Sequence, residues 1–316
     1  MKALICGVTG QDGTYLAQLL LGKGYEVWGT SRDAPASRAD NLEKVGVAGR
    51  VQLLSMAPAD FPSVRRAIEK SRPQEIYYLA GQSSVGLSFE QPAQTLESIV
   101  SGVLNILEVV RLQDKSIRFY NAGSSECFGD TAGLAASENT PFHPRSPYAV
   151  AKASAHWLVA NYREAYGIHA CTGMLFNHES PLRPKRFVTQ KIIQAAASIA
   201  AGSQETLTLG RLDVQRDWGW APEYVDAMWR MLQHEQPTDL VIATGEAHPL
   251  EEFVRLAFEV HDLDWHDHVA SSSAFFRPSD IDVSRGDPAL AARELGWIAA
   301  RKLKDVVQGM SAGLAQ

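Results

Sequence analysis

A tyrosine and a lysine four residues apart form the pattern with the clearest chemical meaning in the sequence. Tyr148 and Lys152 stand in the run PYAVAK at 147–152, near the predicted start of a helix, so both project from one face. A tyrosine with its usual pKa near ~10 is a poor base at neutral pH, but a neighbouring ammonium group favours the phenolate. The pair is therefore predicted to move a proton on a bound substrate.

A second polar group follows a predicted strand, in the run YNAGSSE at 120–126. Open α/β sheets bind ligands at the carboxyl ends of their strands, so this run is expected at the site. The Ser124 hydroxyl can bond a substrate hydroxyl or ketone, and Glu126 is available for acid–base work. The alternative for Glu126 is a helix-capping or surface acid. Cys127 is expected to be a packed thiol, because no base is dedicated to it.

A glycine turn near the N-terminus must lie beside these groups. The run GVTGQDG at 7–13 stands between a predicted strand and a predicted helix and contains Gly7, Gly10, Gln11, Asp12 and Gly13. In that context, bare glycines let the backbone approach a pyrophosphate, and the helix N-terminus faces its negative charge. The turn therefore predicts a bound dinucleotide, which makes hydride transfer the chemistry of Tyr148 and Lys152. A merely structural turn is the alternative.

The residues after the second predicted strand, 25–30, concern the kind of dinucleotide. An acidic residue there favours NAD, and an arginine favours the 2′-phosphate of NADP. Arg32 and Asp33 are adjacent in the sequence, so an arginine and an acidic residue are both available there. Because Arg32 comes first and has hydroxyl groups beside it, the sequence favours NADP over NAD. An exposed Arg–Asp pair on a loop is the alternative.

Strands and helices alternate along the first half of the chain. Strands are predicted at 2–6, 25–30, 51–54, 75–80, 117–122 and 169–175, with helices near 15–21, 61–71, 95–113 and 149–166. This order is typical of α/β proteins with a Rossmann-type, doubly wound parallel sheet. We predict a dinucleotide-binding domain over 1–175 and a smaller substrate-binding lobe over 176–316, with part of 217–245 folding back onto the first domain. The lobe is expected to contain helices near 187–201, 222–233, 249–260 and 288–295 and strands at 205–209 and 239–243.

Composition argues against several kinds of partner. The 316 residues carry a net charge of −6, with acids and bases interspersed, which leaves no basic stripe for a nucleic acid. No uncharged apolar run is long enough to cross a bilayer, and residues 3–8 lack the flanks of a signal peptide. We therefore expect a cytoplasmic protein without a membrane partner. Cys6, Cys127 and Cys171 are isolated, which indicates neither a disulfide framework nor a metal site.

Six short strings, spread over most of the chain, closely resemble the GDP-mannose 4,6-dehydratase family of the extended short-chain dehydrogenase/reductase superfamily. They are GVTGQDGTYL (7–16), SSE (124–126), PRSPY (144–148), LFNHESP (175–181), RDWG (216–219) and ATGE (243–246). The strings at 175–181 and 216–219 are the most specific, because the wider superfamily varies there. The resemblance implies an enzyme that removes water from GDP-mannose to give GDP-4-dehydro-6-deoxymannose.

The resemblance also implies an internal redox cycle. Tyr148, helped by Lys152, takes the C4 hydroxyl proton while the C4 hydride moves to NADP⁺, and the resulting ketone acidifies the C5 hydrogen. Glu126 removes the C5 proton and assists loss of the C6 hydroxyl as water, after which the hydride returns to C6. Ser124 stands where the family commonly has threonine, and its hydroxyl is expected to bond O4.

Binding roles follow from the same resemblance, together with a homodimer or homotetramer. It places Gly7, Gly10, Gln11, Asp12, Gly13, Arg32, Leu79, Ala80, Tyr148, Lys152, His178 and Arg183 at the cofactor. It places Ser84, Ser125, Asn177, Lys191, Arg216, Arg277 and Asp280 at the GDP-sugar, with Asn177 and the two arginines at the pyrophosphate, Lys191 near the guanine and Asp280 near the nucleoside. As isolated residues, His178 would be read as structural and Arg277 as a loop cation.

Some features depart from the family. Ala57 stands where the family usually has an acid that meets the adenine. The loop after Arg32, which in the family reaches a neighbouring subunit, is shorter and lacks a second arginine, and the segment before the run FFRP at 275–278 is also shortened.

Three other functions stay open at this point. A GDP-4-dehydro-6-deoxymannose reductase shares the fold and the Tyr–Lys pair, and a dehydratase for GDP-manno-heptose would need room near C6. A non-catalytic nucleotide-binding regulator would be expected to lack Tyr148, Lys152 or Glu126, which are all intact. A 4-epimerase needs no base at C5, so Glu126 argues against it.

Overall fold

The computed structural model describes residues 1–34, 39–203 and 205–314. The first half alternates strands and helices as the sequence predicts: β1 (Lys2–Cys6), α1 (Gln11–Gly22), β2 (Glu26–Ser31), α2 (Asp40–Lys44), β3 (Val51–Ser55), α3 (Phe61–Ser71), β4 (Glu75–Tyr78), α4 (Val85–Glu90), α5 (Pro92–Leu96), α6 (Gly102–Gln113), β5 (Arg118–Ala122), α7 (Pro147–Tyr166) and β6 (Ala170–Leu175). None of the helices within these described ranges is long and apolar enough to cross a membrane.

The second half has shorter strands and a separate group of helices. Its elements are β7 (Asn177–Glu179), α8 (Val188–Ala200), β8 (Leu207–Leu209), β9 (Gln215–Arg216), β10 (Trp218–Trp220), α9 (Ala221–Gln233), β11 (Leu240–Ile242), β12 (His248–Pro249), α10 (Leu250–Glu259), β13 (Val269–Ser271), β14 (Val283–Ser284), α11 (Ala289–Leu295) and α12 (Leu303–Ala312). β7 pairs with β10, β9 lies between β12 and β14, and β13 pairs with β8.

Among the described residues, seven parallel strands form the central sheet, in the order β11-β6-β5-β4-β1-β2-β3. The order reverses between β1 and β4, where Cys6 lies opposite both Thr30 of β2 and Tyr78 of β4. Ligands of open α/β sheets bind at such a switch point, beyond the carboxyl ends of the strands. The predicted Rossmann-type α/β fold is confirmed, and β11 extends its sheet from the second half of the chain.

The sheet is covered on both faces, because alternate residues of each strand point to opposite sides. Ala3 and Ile5 of β1 pack in one cluster with α1 and α9, and Leu4 and Cys6 pack in the other with α3, α6 and α7. A third cluster joins α8, α10 and α12 around Phe253. Helices on both faces leave the strand ends as the place where a ligand can enter.

The helix predicted near 95–113 is confirmed, with an irregularity inside it. The helical run consists of α5, a π-helical turn Glu97–Ser101, and α6. The Tyr78 hydroxyl donates a hydrogen bond to the Ser98 carbonyl at 2.7 Å, and a side chain at Gly102 would overlap that hydroxyl. A buried tyrosine in β4 thus inserts into the helical hydrogen-bond pattern, which is a common origin of such irregularities.

Candidate active site

The phosphate turn is built tightly enough to require its glycines. Gly7 has a φ of +86°, and a Cβ there would lie 3.1 Å from the Ala80 backbone. A Cβ on Gly13 would collide with the carbonyl of Gly7. The N-cap residue of α1, Gly10, offers no side-chain acceptor, so the first amide groups of the helix are left for an incoming anion. These features fit a dinucleotide pyrophosphate.

Of two further segments predicted to hold the cofactor, one borders this turn and the other does not. Leu79 and Ala80 follow β4, and Leu79 lines the large cleft described below. Arg32 follows β2 directly and is exposed, away from that cleft. The loop predicted to differ from the family continues through residues 35–38, which lie outside the described part of the chain. Ala57 is exposed, and its amide donates to the Ser63 hydroxyl at 3.0 Å.

The predicted catalytic residues come from the end of β5 and the first turns of α7. Ser124 caps the short 3₁₀ turn Ser125–Cys127 by accepting from the Glu126 amide at 3.3 Å. The α7 helix begins with Ser146, which accepts from the Ala149 amide at 3.1 Å, and Pro147 follows the cap. These two caps fix the start of the 3₁₀ turn and the start of α7. The predicted catalytic residues of these segments line one cleft: Ser124, Glu126, Tyr148 and Lys152.

Lys152 and Tyr148 are both buried in the wall of this cleft. The Lys152 ammonium donates to the Ala122 carbonyl at 2.8 Å and lies 5.8 Å from the centroid of the Tyr148 ring. Burial lowers the pKa of Lys152 to about 8. Burial also raises the pKa of Tyr148, which a hydrogen bond with Ser124 opposes. Among the protein's own groups, burial therefore outweighs the Ser124 hydrogen bond and keeps the phenol protonated.

Glu126 lies within the electrostatic influence of two arginines from another part of the chain. It is half-buried, and burial raises the pKa of its carboxyl while the Arg277 and Arg216 guanidinium groups lower it. Arg216 is buried and donates to Asp280 at 2.9 Å and to the Ile281 carbonyl at 2.7 Å. Arg277 is more exposed and donates to the same Asp280 oxygen at 3.4 Å. The Asp280 carboxylate is thus shared by two arginines, so net positive charge remains to bind an anionic ligand.

Strand β7 carries three predicted or neighbouring site residues in a row. Asn177 is half-buried and His178 is buried against the Tyr224 ring, with centroids 4.5 Å apart. Glu179 is fully buried, accepts from the Thr189 hydroxyl at 2.7 Å and lies 3.1 Å from Arg183. The Arg183 guanidinium also lies 3.8 Å from the centre of the Phe187 ring. Arg183 is therefore held in place from both sides.

Most of the predicted site residues meet in one cleft of about 440 Å³. Its lining includes Asp12, Leu79, Ser84, Ser124, Ser125, Glu126, Tyr148, Lys152, Asn177, His178, Arg183, Lys191, Arg216, Arg277 and Asp280. Gly7, Gly10, Gln11, Gly13, Arg32 and Ala80 lie outside this lining. The first four belong to the phosphate turn and Gly7 packs on Ala80, so only Arg32 stands apart from the group.

The sequence prediction missed several residues of this cleft. Arg186, Phe187 and Arg211 line it, as does Glu179. Glu179 lies inside the specific string LFNHESP, and Arg186 belongs to a cationic run with Arg183 and Lys185, so the sequence contained a feature that pointed to each of them. No feature of the sequence pointed to Arg211, because nothing in the sequence shows that β8, which ends just before it, borders the cleft.

Comparison with known proteins agrees with this geometry. The family model described as GDP-mannose 4,6 dehydratase matches residues 4–310. The chain is 46% identical over 305 residues to GDP-mannose 4,6 dehydratase 1 of Arabidopsis thaliana, covering 93% of this chain and 84% of the relative. It is 43% identical to the GDP-mannose 4,6-dehydratase of Sinorhizobium fredii, covering 96% and 93%.

Solved structures share the fold at lower identity. The UDP-glucose 4-epimerase of Thermus thermophilus, solved with NAD, has a TM-score of 0.86 at 23% identity, covering 100% of this chain and 99% of the other. RMD from Pseudomonas aeruginosa, solved with NADPH, has a TM-score of 0.81 at 23% identity, covering 99% and 98%. The sheet, the glycine turn and the Tyr–Lys pair define an extended short-chain dehydrogenase/reductase. Within that class, the chain belongs to the GDP-mannose 4,6-dehydratase family.

Proposed function

We propose that this protein converts GDP-mannose to GDP-4-dehydro-6-deoxymannose with NADP as a recycled cofactor. The observation that carries the proposal is a single cleft that holds Tyr148 and Lys152 together with Glu126. The Tyr–Lys pair suits oxidation at C4, and the extra carboxyl group suits removal of a proton at C5. Family membership favours this dehydratase over the reductase that shares the pair.

The first half-reaction needs a base at the C4 hydroxyl. Tyr148 removes that proton as the C–H bond at C4 breaks and its electron pair leaves as hydride. Bound NADP⁺ supplies the hydride acceptor and, at the end of the cycle, the hydride donor. The ordinary tyrosine pKa is ~10 and burial raises it further, so the phenol must lose its own proton before it can act as the base. The phenolate so formed is stabilised by the Ser124 hydroxyl and by the nearby ammonium of Lys152.

The second half-reaction is an elimination followed by hydride return. Glu126 takes the C5 proton, the C5 electrons form the C5–C6 double bond, and the C6 hydroxyl leaves as water after receiving a proton from the same carboxyl group. Burial raises the pKa of Glu126, which suits a group that must accept and then donate a proton. The hydride then adds at C6 and C5 takes up one proton from solvent, which balances the C4 hydroxyl proton that Tyr148 removed, so the net change is the loss of one water.

The cofactor assignments rest on the turn and the strand ends. Gly7, Gly10 and Gly13 shape the turn, and the first amides of α1 face the pyrophosphate. Arg32, exposed at the end of β2, takes the 2′-phosphate. Substitution of Arg32 by alanine is expected to weaken NADP binding about 10-fold, the worth of a charge-assisted hydrogen bond, while NAD binding changes little. Equal losses for both cofactors would contradict this role, and Lys44→Ala provides a matched surface control.

The substrate assignments divide the cleft between the two halves of the chain. We place the diphosphate against Asn177, Arg216 and Arg277, because these groups supply donors at the positive end of the cleft. Lys191 and Asp280 serve the nucleoside, while Ser84 and Ser125 face the sugar. The dinucleotide domain then spans 1–175 and the GDP-sugar lobe spans 176–316. Exposed apolar side chains on α6 and α7, including Leu112 and Trp157, support a homodimer or homotetramer, which sedimentation would test.

An isotope experiment tests the proposed cycle directly. GDP-mannose carrying deuterium at C4 is incubated with the protein and a catalytic amount of NADP⁺, and the product is analysed by NMR and mass spectrometry. We expect the deuterium at C6 of a 6-deoxy product. Retention of deuterium at C4 after inversion would indicate an epimerase, and stoichiometric NADPH consumption with a ketone substrate would indicate the reductase. Bound NADP with no turnover of GDP-mannose or a GDP-heptose would indicate a non-catalytic nucleotide-binding protein.

A further inference from the structure

The first turn of α1 is joined to β7, and to Ser180 directly after it, by three side-chain contacts. Gln11 donates to the His178 carbonyl at 3.1 Å and accepts from the Ser180 hydroxyl at 2.8 Å. Asp12 approaches the His178 ring nitrogen Nε2 at 3.0 Å. α1 carries the phosphate turn, and β7 carries Asn177 and leads to Arg183. These contacts therefore connect the cofactor end of the site to its substrate end.

The hydrogen-bond partners of His178 fix its charge. Its Nδ1 lies 2.7 Å from the Phe176 carbonyl oxygen, which can only accept, so Nδ1 carries a proton. Its Nε2 faces the Asp12 carboxylate, which is also an acceptor once ionised, so Nε2 carries a proton as well. With both nitrogens protonated, the ring is an imidazolium, and it stacks on the Tyr224 ring at 4.5 Å between centroids.

The charges around the pair agree with this protonation state. Burial raises the pKa of Asp12, but the His178 charge and hydrogen bond outweigh it and hold that pKa at about 2. Burial lowers the pKa of His178, but the Asp12 carboxylate and the Phe176 carbonyl outweigh it and raise that pKa. The positive charge of Arg183 lowers the pKa of His178. The charges of His178 and Asp12 both act on Glu179. Tyr224, from α9, carries no charge because burial raises its pKa.

We propose that Asp12 is a positioning residue that acts through His178: the two form a hydrogen-bonded ion pair, with the imidazolium buried, that fixes the phosphate turn against β7. One carboxylate oxygen of Asp12 is directed at the histidine, so Asp12 acts on the site through the position of α1 and of the imidazolium. The inference concerns the same site as the proposed function but does not depend on the reaction.

Nitrogen NMR of the ¹⁵N-histidine-labelled chain tests the charge without substrate. At pH 7 we expect both ring nitrogens of His178, identified by their loss in His178→Gln, to show the imidazolium signature. His156 is an internal control, because it is also buried and lies 4.0 Å from Asp239 without a hydrogen bond, and burial lowers its pKa. A neutral His178 ring at pH 7 would overturn the proposal.

Asp12→Asn separates the positioning role from simple structural damage. We expect the His178 titration to move to lower pH and the Kd for NADP to rise about 5-fold or more, the size of a typical coupling between sites. Asp40→Asn, which removes an equal charge from the exposed start of α2, is expected to change neither. An Asp12→Asn chain that keeps both the titration and the Kd of the unmodified chain would also overturn it. Failure of GDP-mannose turnover alone would affect only the proposed function.

Discussion

The ammonium nitrogen of Lys152 lies 5.8 Å from the centre of the Tyr148 ring and is hydrogen-bonded to the Ala122 carbonyl rather than to the phenol. The lysine thus acts on the tyrosine through space, as a charge held in place by the end of β5. Its effect depends on remaining protonated. Burial lowers the pKa of Lys152 to about 8, so this charge is lost within an accessible pH range.

We therefore expect kcat/KM for GDP-mannose to fall as the pH rises through about 8. The ammonium is present below that pKa and absent above it, so the loss lies on the alkaline side. Lys152→Met should lower activity at pH 7 and remove this alkaline limb. Lys304→Met, on the exposed face of α12, should leave the profile unchanged. If the alkaline limb persists in Lys152→Met, the limb reflects the titration of another group.

Tyr148→Phe removes the proposed base and keeps the buried ring. We expect kcat to fall by about 10²- to 10⁴-fold, the usual worth of a general base, with a stability loss of about 1 kcal/mol for one hydroxyl. Stopped-flow absorbance of bound NADPH would show whether C4 oxidation fails. Tyr162→Phe is the matched control, because it lies on the same helix and its hydroxyl bonds Glu108, outside the cleft. Equal losses in both variants would point to helix packing rather than proton transfer.

Glu126→Gln should stop the cycle after its first half. C4 oxidation needs only the Tyr–Lys pair, so NADPH absorbance is expected to accumulate while no 6-deoxy product appears. Glu164→Gln removes the same charge from the exposed end of α7 and should turn over normally. Formation of product by Glu126→Gln at the normal rate would exclude Glu126 as the C5 base.

Arg277→Ala is expected to raise KM for GDP-mannose about 10-fold or more with little effect on stability. Arg277 is partly exposed, so its charge-assisted bonds to a diphosphate matter more than its bond to Asp280. Arg145→Ala is the control, because Arg145 contacts the adjacent Ser279 at 3.3 Å but does not line the cleft. An unchanged KM in Arg277→Ala would remove Arg277 from the diphosphate site.

The strands of the sheet were the most predictable part of the fold. Each is an apolar run ended by a turn signal, so β1 was predicted at its observed limits and the five strands that follow were displaced by two residues at most at either end. The helix predicted at 95–113 is confirmed, but its internal π-helical turn was not predictable, because Tyr78, a residue distant in sequence, takes a helix carbonyl. The α12 helix was missed although Leu303, Val306, Val307 and Met310 have helical spacing.

The site was predictable where chemistry is local and not where it depends on distant pairing. Tyr148 and Lys152 share one helix, so their spacing alone indicated a pair. The Asp12–His178 contact joins residues 166 positions apart, and only the fold brings them together. The high pKa of Tyr148 was likewise not predictable, because burial, which the sequence does not quantify, outweighs the Ser124 hydrogen bond.

Mass spectrometry of GDP-mannose incubated with the purified protein and catalytic NADP⁺ tests the central claim most directly. The account predicts a product lighter by about 18 mass units, one water removed by general-base elimination, with no net accumulation of NADPH. Unchanged GDP-mannose, in a preparation that binds NADP, would contradict it.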